Sequence, residues 1–268
     1  MRKTKKFAAI LLSALILSSS FSALPVSAAT VGNDTAVVSS DESLISGDYE
    51  YSVLADSTVE ITRYFGSDSD VTIPNTIDDK KVTSIGSETF HGCISLTSVI
   101  MPDSITSIGD LAFSECISLV NIAIHDSVMS IGFRAFGDCK NLSSITVPNS
   151  VKNIGNGAFS GCDNLINITV DKNNSVYSSI DGVLFNKTQD VLISCPNGKA
   201  DNFKIPNSVT SIENWAFSGC TNMEKITIPN GVTSIGDDAF SDCIGLKSIT
   251  IPDSVTSIGE FAFSDCTN

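Results

Sequence analysis

"LKSITIPDSVTSIGEFAFSDC" (Leu246–Cys266) decides the fold, because the chain repeats it in near-copies. Aligned on I-G-x-x-A-F-x-x-C, the leading isoleucine falls at Ile85, Ile108, Ile131, Ile154, Ile212, Ile235 and Ile258, with gaps of 23, 23, 23, 58, 23 and 23 residues. Phenylalanine keeps the same phase at Phe90, Phe113, Phe136, Phe159, Phe217, Phe240 and Phe263. So does cysteine, at Cys93, Cys116, Cys139, Cys162, Cys220, Cys243 and Cys266. Three residues after it comes Leu96, Leu119, Leu142, Leu165, Met223 or Leu246. Self-similarity at a fixed period of this size marks stacked structural repeats.

Each part of the unit has a physical reading. I-x-I-P alternates with period two and ends on a proline that cannot donate to a ladder, so it reads as a short strand. The I-G-x-x-A-F-x-x-C phrase is too short for a full helix and fits one or two helical or 3₁₀ turns. One unit cannot bury its own apolar residues, but stacked units align them into continuous rows. The expected fold is an α/β repeat solenoid of right hand. It has 23-residue coils, one short parallel strand per coil and short helical or 3₁₀ turns on the other side. At a strand spacing of about 4.8 Å, some nine coils would span roughly 45 Å.

The full pattern L-x-x-I-x-I-P-x-x-V-x-x-I-G-x-x-A-F-x-x-C resembles the BspA-type leucine-rich repeat of bacterial secreted and surface proteins. The resemblance covers roughly residues 71–268. It implies a gently curved leucine-rich-repeat solenoid and a role in adhesion, cell–cell contact or host-matrix binding. The family carries no general catalytic motif, so the resemblance implies no catalytic residue and no enzyme.

The chain opens on a basic cluster, Arg2, Lys3, Lys5 and Lys6, then the apolar run Phe7–Leu17 and small residues up to Ala29. That is the pattern of a secretory signal peptide over residues 1–29, too short in its apolar part to span a bilayer. Export to the medium or the cell surface follows as an expectation, with no membrane insertion after cleavage. Cleavage would leave 12 of the 16 basic residues against 30 acidic ones, a net charge of −18. Such a surface repels nucleic-acid phosphates, so no nucleic-acid partner is expected. Residues 30–48 read as a flexible leader. Residues 49–70 carry two alternating runs and read as an N-terminal β-hairpin cap over the solenoid of residues 71–268. Between Val170 and Ile205 the phase slips by 35 residues. "GVLFN" and "DVLIS" there read as paired strands of one enlarged coil, residues 171–205. "DGVLFNK…CP…GK" is itself a frequent variant in proteins of the resembled family.

The in-phase cysteines are one coil apart, so their Cβ atoms point in parallel and cannot face each other as a disulfide requires. Together with the seven phenylalanines they are expected as a structural core ladder of buried thiols and rings. Cys195 is out of phase and could be buried or exposed. No close cysteine pair suggests zinc. "DKNNSVYSSIDG" (Asp171–Gly182) has Val176 and Gly182 where a calcium loop needs glycine and an acid. No cofactor or metal is expected. His91 and His125 lack a nucleophile at a telling spacing.

The expected binding surface is the solvent face of the strands plus the enlarged coil. It is assigned to Ile100, Ala123, Thr146, Thr169, Lys225, Thr227 and Thr250 on the strand face, with Phe185 in the insertion and Trp215, the single tryptophan. The partner would be a protein or glycan, on host matrix or other cells. The alternative is a non-binding spacer or a fragment of a larger surface protein. The last unit has no following strand to cover Phe263 and Cys266, which suggests end-to-end self-association.

Overall fold

The computed structural model of the chain describes residues 44–199 and 203–267. The described residues pack as one compact unit. The signal peptide expected over 1–29, and the leader as far as residue 43, lie outside the described residues.

Each regular coil contributes two short strands, where the sequence suggested one. In the coil after Leu96 these are Ser98–Ile100 and Ser107–Ile108. The first strands stack in parallel, as in Asp70–Thr72, Ser98–Ile100 and Asn121–Ile122. The pairs Ser144–Val147 with Asn167–Val170, and Lys225–Thr227 with Ser248–Thr250, continue the same pattern. The second strands stack from Lys80–Ile85 through Ser107–Ile108 and Ser130–Ile131 to Asn153–Ile154. Between regular coils the register joins residues 23 apart, such as Ile108 with Ile131, whereas Asp70–Thr72 meets Ser98–Ile100 at a separation of 28. The isoleucine of T-S-I-G points into the core, so the serine before it and the glycine after it point outward.

The I-G-x-x-A-F-x-x-C segment forms turns, and the helical or 3₁₀ reading is corrected. Its amides alternate between two directions. Leu111, Phe113 and Glu115 donate to Phe133, Ala135 and Gly137 of the next coil, each at 2.8 Å. Ala112, Ser114 and Cys116 donate back within their own coil. Leu111 and Glu115 have φ of 57° and 61°, the left-handed region. A helix needs successive right-handed residues with every amide bonded along its own axis, and this segment has neither. The side of the coil opposite the strands is therefore a third hydrogen-bonded row between neighbours.

Glycine follows the second-strand isoleucine for a steric reason. A Cβ on Gly109 would lie 2.6 Å from the Gly86 carbonyl carbon. Glu213 stands in this column in the coil that follows the enlarged one.

The N-terminal end is built more fully than a hairpin. Leu44–Ser46, which the sequence placed in the flexible leader, pairs antiparallel with Tyr49–Val53, because its residues match Tyr51, Glu50 and Tyr49 in register. Tyr49–Val53 pairs antiparallel with Val59–Tyr64, and that strand joins the second-strand ladder in parallel with Lys80–Ile85. The cap thus supplies the ladder with a pre-formed first rung.

The core is a set of rows. Phe90, Phe113, Phe136 and Phe159 stack with ring centroids 5.0–6.0 Å apart and planes within 10°. Phe217, Phe240 and Phe263 repeat this. All these rings are buried apart from Phe263 in the last coil, which is half-buried. Cys116, Cys139, Cys162, Cys220 and Cys243 are buried, and Cys93 and Cys266 at the two ends are partly exposed. All eight cysteines are free thiols.

The enlarged coil separates two core clusters. Tyr177–Ile180, Val183–Asn186 and Val191–Ser194 form an antiparallel meander, and the last of these strands pairs in parallel with Ser211–Ile212. Asn174 is buried and ties the meander to the preceding coil. Its amide nitrogen donates to the carbonyls of Pro148 and Val151, and its oxygen accepts from Val176 and Tyr177 amides. The Tyr177 hydroxyl accepts from the Ile154 amide at 2.9 Å, where the next second strand would otherwise bond.

Candidate binding surfaces

The first-strand face presents the side chains the sequence assigned to it. Ile100, Ala123, Thr146, Thr169, Lys225, Thr227 and Thr250 are all exposed. Thr146 and Thr169 are direct neighbours across the ladder, as are Thr227 and Thr250. The enlarged coil separates these two hydroxyl pairs.

Of the other two residues assigned to binding, one is buried and one is half-buried on a turn. Phe185 is fully buried, packed near Phe203 with centroids 6.5 Å apart, so it is a core residue of the enlarged coil. The alternation that turns Val183 and Phe185 inward could not be assigned a face before the meander's register was known. Trp215 is half-buried. Its ring lies 6.2 Å from Phe133, edge-on, and 5.2 Å under the Arg134 guanidinium. A Cβ on Gly157 would lie 3.4 Å from the Trp215 ring. Trp215 therefore reaches back across the enlarged coil onto the coils before it. Eighty-two positions separate it from Phe133, so no local pattern could have joined them. The one clue is that both occupy variable turn positions in an otherwise repeated unit.

The cysteine row has a chemistry the sequence did not reveal. Each thiol donates to the phenylalanine carbonyl of the coil before: Cys116 to Phe90, Cys139 to Phe113, Cys162 to Phe136 and Cys243 to Phe217, at 3.0–3.2 Å. Cys195 sits where a phenylalanine would. Its amide donates to Ala216, and its carbonyl receives the Cys220 thiol at 3.9 Å. Burial pushes the Cys116 and Cys243 thiols up to about 12. The hydrogen bond with Cys162, then burial, raises Cys139. These thiols stay protonated and behave as small apolar groups with one donor.

A second surface lies on the outer face of the second-strand ladder. Serines 84, 107 and 130 and Asn153 form one outward row, and Gly86, Gly109, Gly132 and Gly155 form the other. Because the glycines carry no side chain, a groove of about 510 Å³ runs over four coils. Glu60 stands at one end, and Asp110 and Phe133 also line it. Ser107 Oγ donates to Ser84 Oγ at 2.9 Å, and Ser84 Oγ donates to Glu60 Oε2 at 2.7 Å. Asp110 Oδ1 accepts from the Phe133 amide at 2.7 Å.

Among the described residues, no group of three His, Cys, Asp or Glu side chains is placed to hold a metal ion. His125 lies 3.2 Å from Asp103 and His91 is exposed on a turn. No described helix is long and apolar enough to cross a membrane.

The BspA type leucine rich repeat region family matches residues 67–192 and 194–268, as six copies. Among solved structures, the chain is similar to a leucine-rich repeat protein from Eubacterium ventriosum, with a TM-score of 0.63 and 29% identity over 82% of this chain and 68% of that one. It is also similar to the leucine rich repeat protein of T. pallidum, with a TM-score of 0.52 and 28% identity over 84% of this chain and 90% of that one. The pneumococcal vaccine antigen PcpA shares the fold, at a TM-score of 0.59 and 22% identity over 81% of this chain and 77% of that one. No curated protein matches the chain.

Proposed function

The chain belongs to the BspA-type leucine-rich repeat family, and from that membership we propose that it is a secreted or cell-surface recognition module. It holds a protein or glycan ligand at contacts with host matrix or other cells, and it is not an enzyme. The observation that carries this reading is the first-strand face, where exposed Thr146, Thr169, Thr227 and Thr250 form paired rows on rigid ladders. A rigid face presents hydroxyls at low entropic cost, and that favours a broad contact. The basic and apolar N-terminal segment supports export by its signal-peptide pattern.

The test is an array of matrix proteins, cells and glycans probed with residues 30–268. Wild type should bind a defined subset. The double variant Thr146→Lys/Thr169→Lys should weaken that binding at least about tenfold, a loss of about 1.4 kcal/mol. A blank array would sink the proposal and leave the spacer reading.

A further inference from the structure

We propose that the groove on the outer face of the second-strand ladder is a cleft for a linear oligosaccharide bearing free amino groups. The inference rests on the recognition reading and gives it a second face, distinct from the threonine rows.

Shape comes first. The serine rungs from Ser84 to Asn153 cover three ladder steps, about 14 Å at strand spacing. The cleft runs over four coils, with Glu60 at one end. In the C-terminal half Glu213 interrupts the glycine column, which resumes at Gly236 and Gly259. The groove itself is lined by the first coils, although Ser211, Ser234 and Ser257 continue the serine row.

Chemistry selects the occupant. The groove floor offers the hydroxyls of Ser107 and Ser130 and the amide of Asn153, and a sugar chain offers hydroxyls to pair with them. The floor's backbone is already bonded between coils, as in Gly109 to Ile85 and Gly132 to Ile108. A peptide could not add as a strand there. Phe133 is 38% exposed and lines the groove. Trp215 braces it edge-on, and the Arg134 guanidinium stacked on Trp215 is itself paired with Asp138. A fixed, exposed ring beside hydroxyls suits the apolar face of a sugar ring. The charged residues lining the groove, Glu60 and Asp110, are both acidic. Each uses one oxygen within the protein, to Ser84 and to the Phe133 amide, and has a second for a ligand. An ammonium on the sugar complements them, and the acidic chain as a whole attracts it from a distance.

The experiment is calorimetry on residues 30–268 with chitosan oligosaccharides, fully N-acetylated chitin oligosaccharides and oligolysine of matched charge. Chitosan oligosaccharides should bind, the acetylated series should bind at least about tenfold more weakly, and oligolysine should not compete. Phe133→Ala and Ser107→Tyr should each weaken chitosan binding at least about tenfold, and Glu60→Gln should weaken it measurably. Ser234→Tyr, the same substitution at the matching position of the other half, should leave it unchanged. Phe133 is exposed, so its variant carries the test if Ser107→Tyr does not fold. The proposal is overturned by no chitosan binding, by equal oligolysine binding, or by unchanged binding in Phe133→Ala. If the threonine variant abolishes array binding while the groove variants do not, the recognition reading stands and the groove assignment falls.

Discussion

Replacing Phe136 by alanine should cost far more than replacing Phe263, although both occupy the same place in the repeat. Phe136 is fully buried, with Phe113 at 5.4 Å on one side and Phe159 at 6.0 Å on the other. Truncating a core phenylalanine costs about 3–5 kcal/mol, the transfer loss plus the cavity left behind. The upper part of that range is expected, because two ring pairs are lost and neighbouring coils on both sides pin the cavity walls. Phe263 is half-buried and has one stacked ring, Phe240, at 5.4 Å. It loses about half the burial and one ring pair, so about 1–2 kcal/mol. In a solenoid each coil contacts its neighbours alone, so within residues 1–268 a defect in a middle coil weakens two interfaces and one in the last described coil weakens one. Urea unfolding followed by circular dichroism, with hydrogen exchange to locate the loosened coils, measures both. Equal losses for the two variants, or a Phe136→Ala loss below about 1.5 kcal/mol, would refute the stacked-row account of the core.

The buried thiols predict a pH dependence. Cys116 and Cys243 have pKa values raised by burial to about 12 in the fold, against about 8.5 unfolded. Their contribution is whole below the unfolded value and is lost as pH rises toward 12. Each removes about 1.4 kcal/mol per pH unit in that window. The urea midpoint should therefore fall between pH 9 and 10, and Cys116→Ala should flatten the fall. A thiol-reactive dye at pH 8 should label Cys93 and Cys266, the partly exposed pair, well before the buried thiols; mass spectrometry of the digest reads the order. Asn174→Ala orphans buried groups in the enlarged coil and in the coil before it, and should cost at least about 2 kcal/mol by urea unfolding. Gly109→Ala forces a methyl group to within 2.6 Å of the Gly86 backbone and should lower the thermal midpoint by several degrees. A silent Gly109→Ala would mean the coils are looser than the ladder bonds indicate.

The period, the core rows and the enlarged coil were legible because each leaves a local mark. Ile108, Phe113 and Cys116 recur in phase, and repetition at equal spacing admits few arrangements other than stacking. The far side of the coil was misread for the opposite reason. Ala112–Phe113 fits a helical turn by composition, yet the amides of Leu111, Phe113 and Glu115 bond to the next coil. Leu111 and Glu115 adopt left-handed φ, a choice made by the neighbouring coil. Thr146 and Thr169 could be placed on an outer face by alternation with Ile145 and Ile168. Phe185 could not, because an insertion breaks the phase that alternation depends on.

The sequence by itself determined that coils stack, which side chains become rows and where the stack is interrupted. Period and alternation act between residues close in the chain, and identical units must meet in identical register. The tertiary structure alone decided that a second ladder exists and that its glycines leave a groove. It also decided that Trp215 crosses the enlarged coil to brace Phe133. Those outcomes depend on how closely backbones of different coils approach, a distance that no residue encodes on its own.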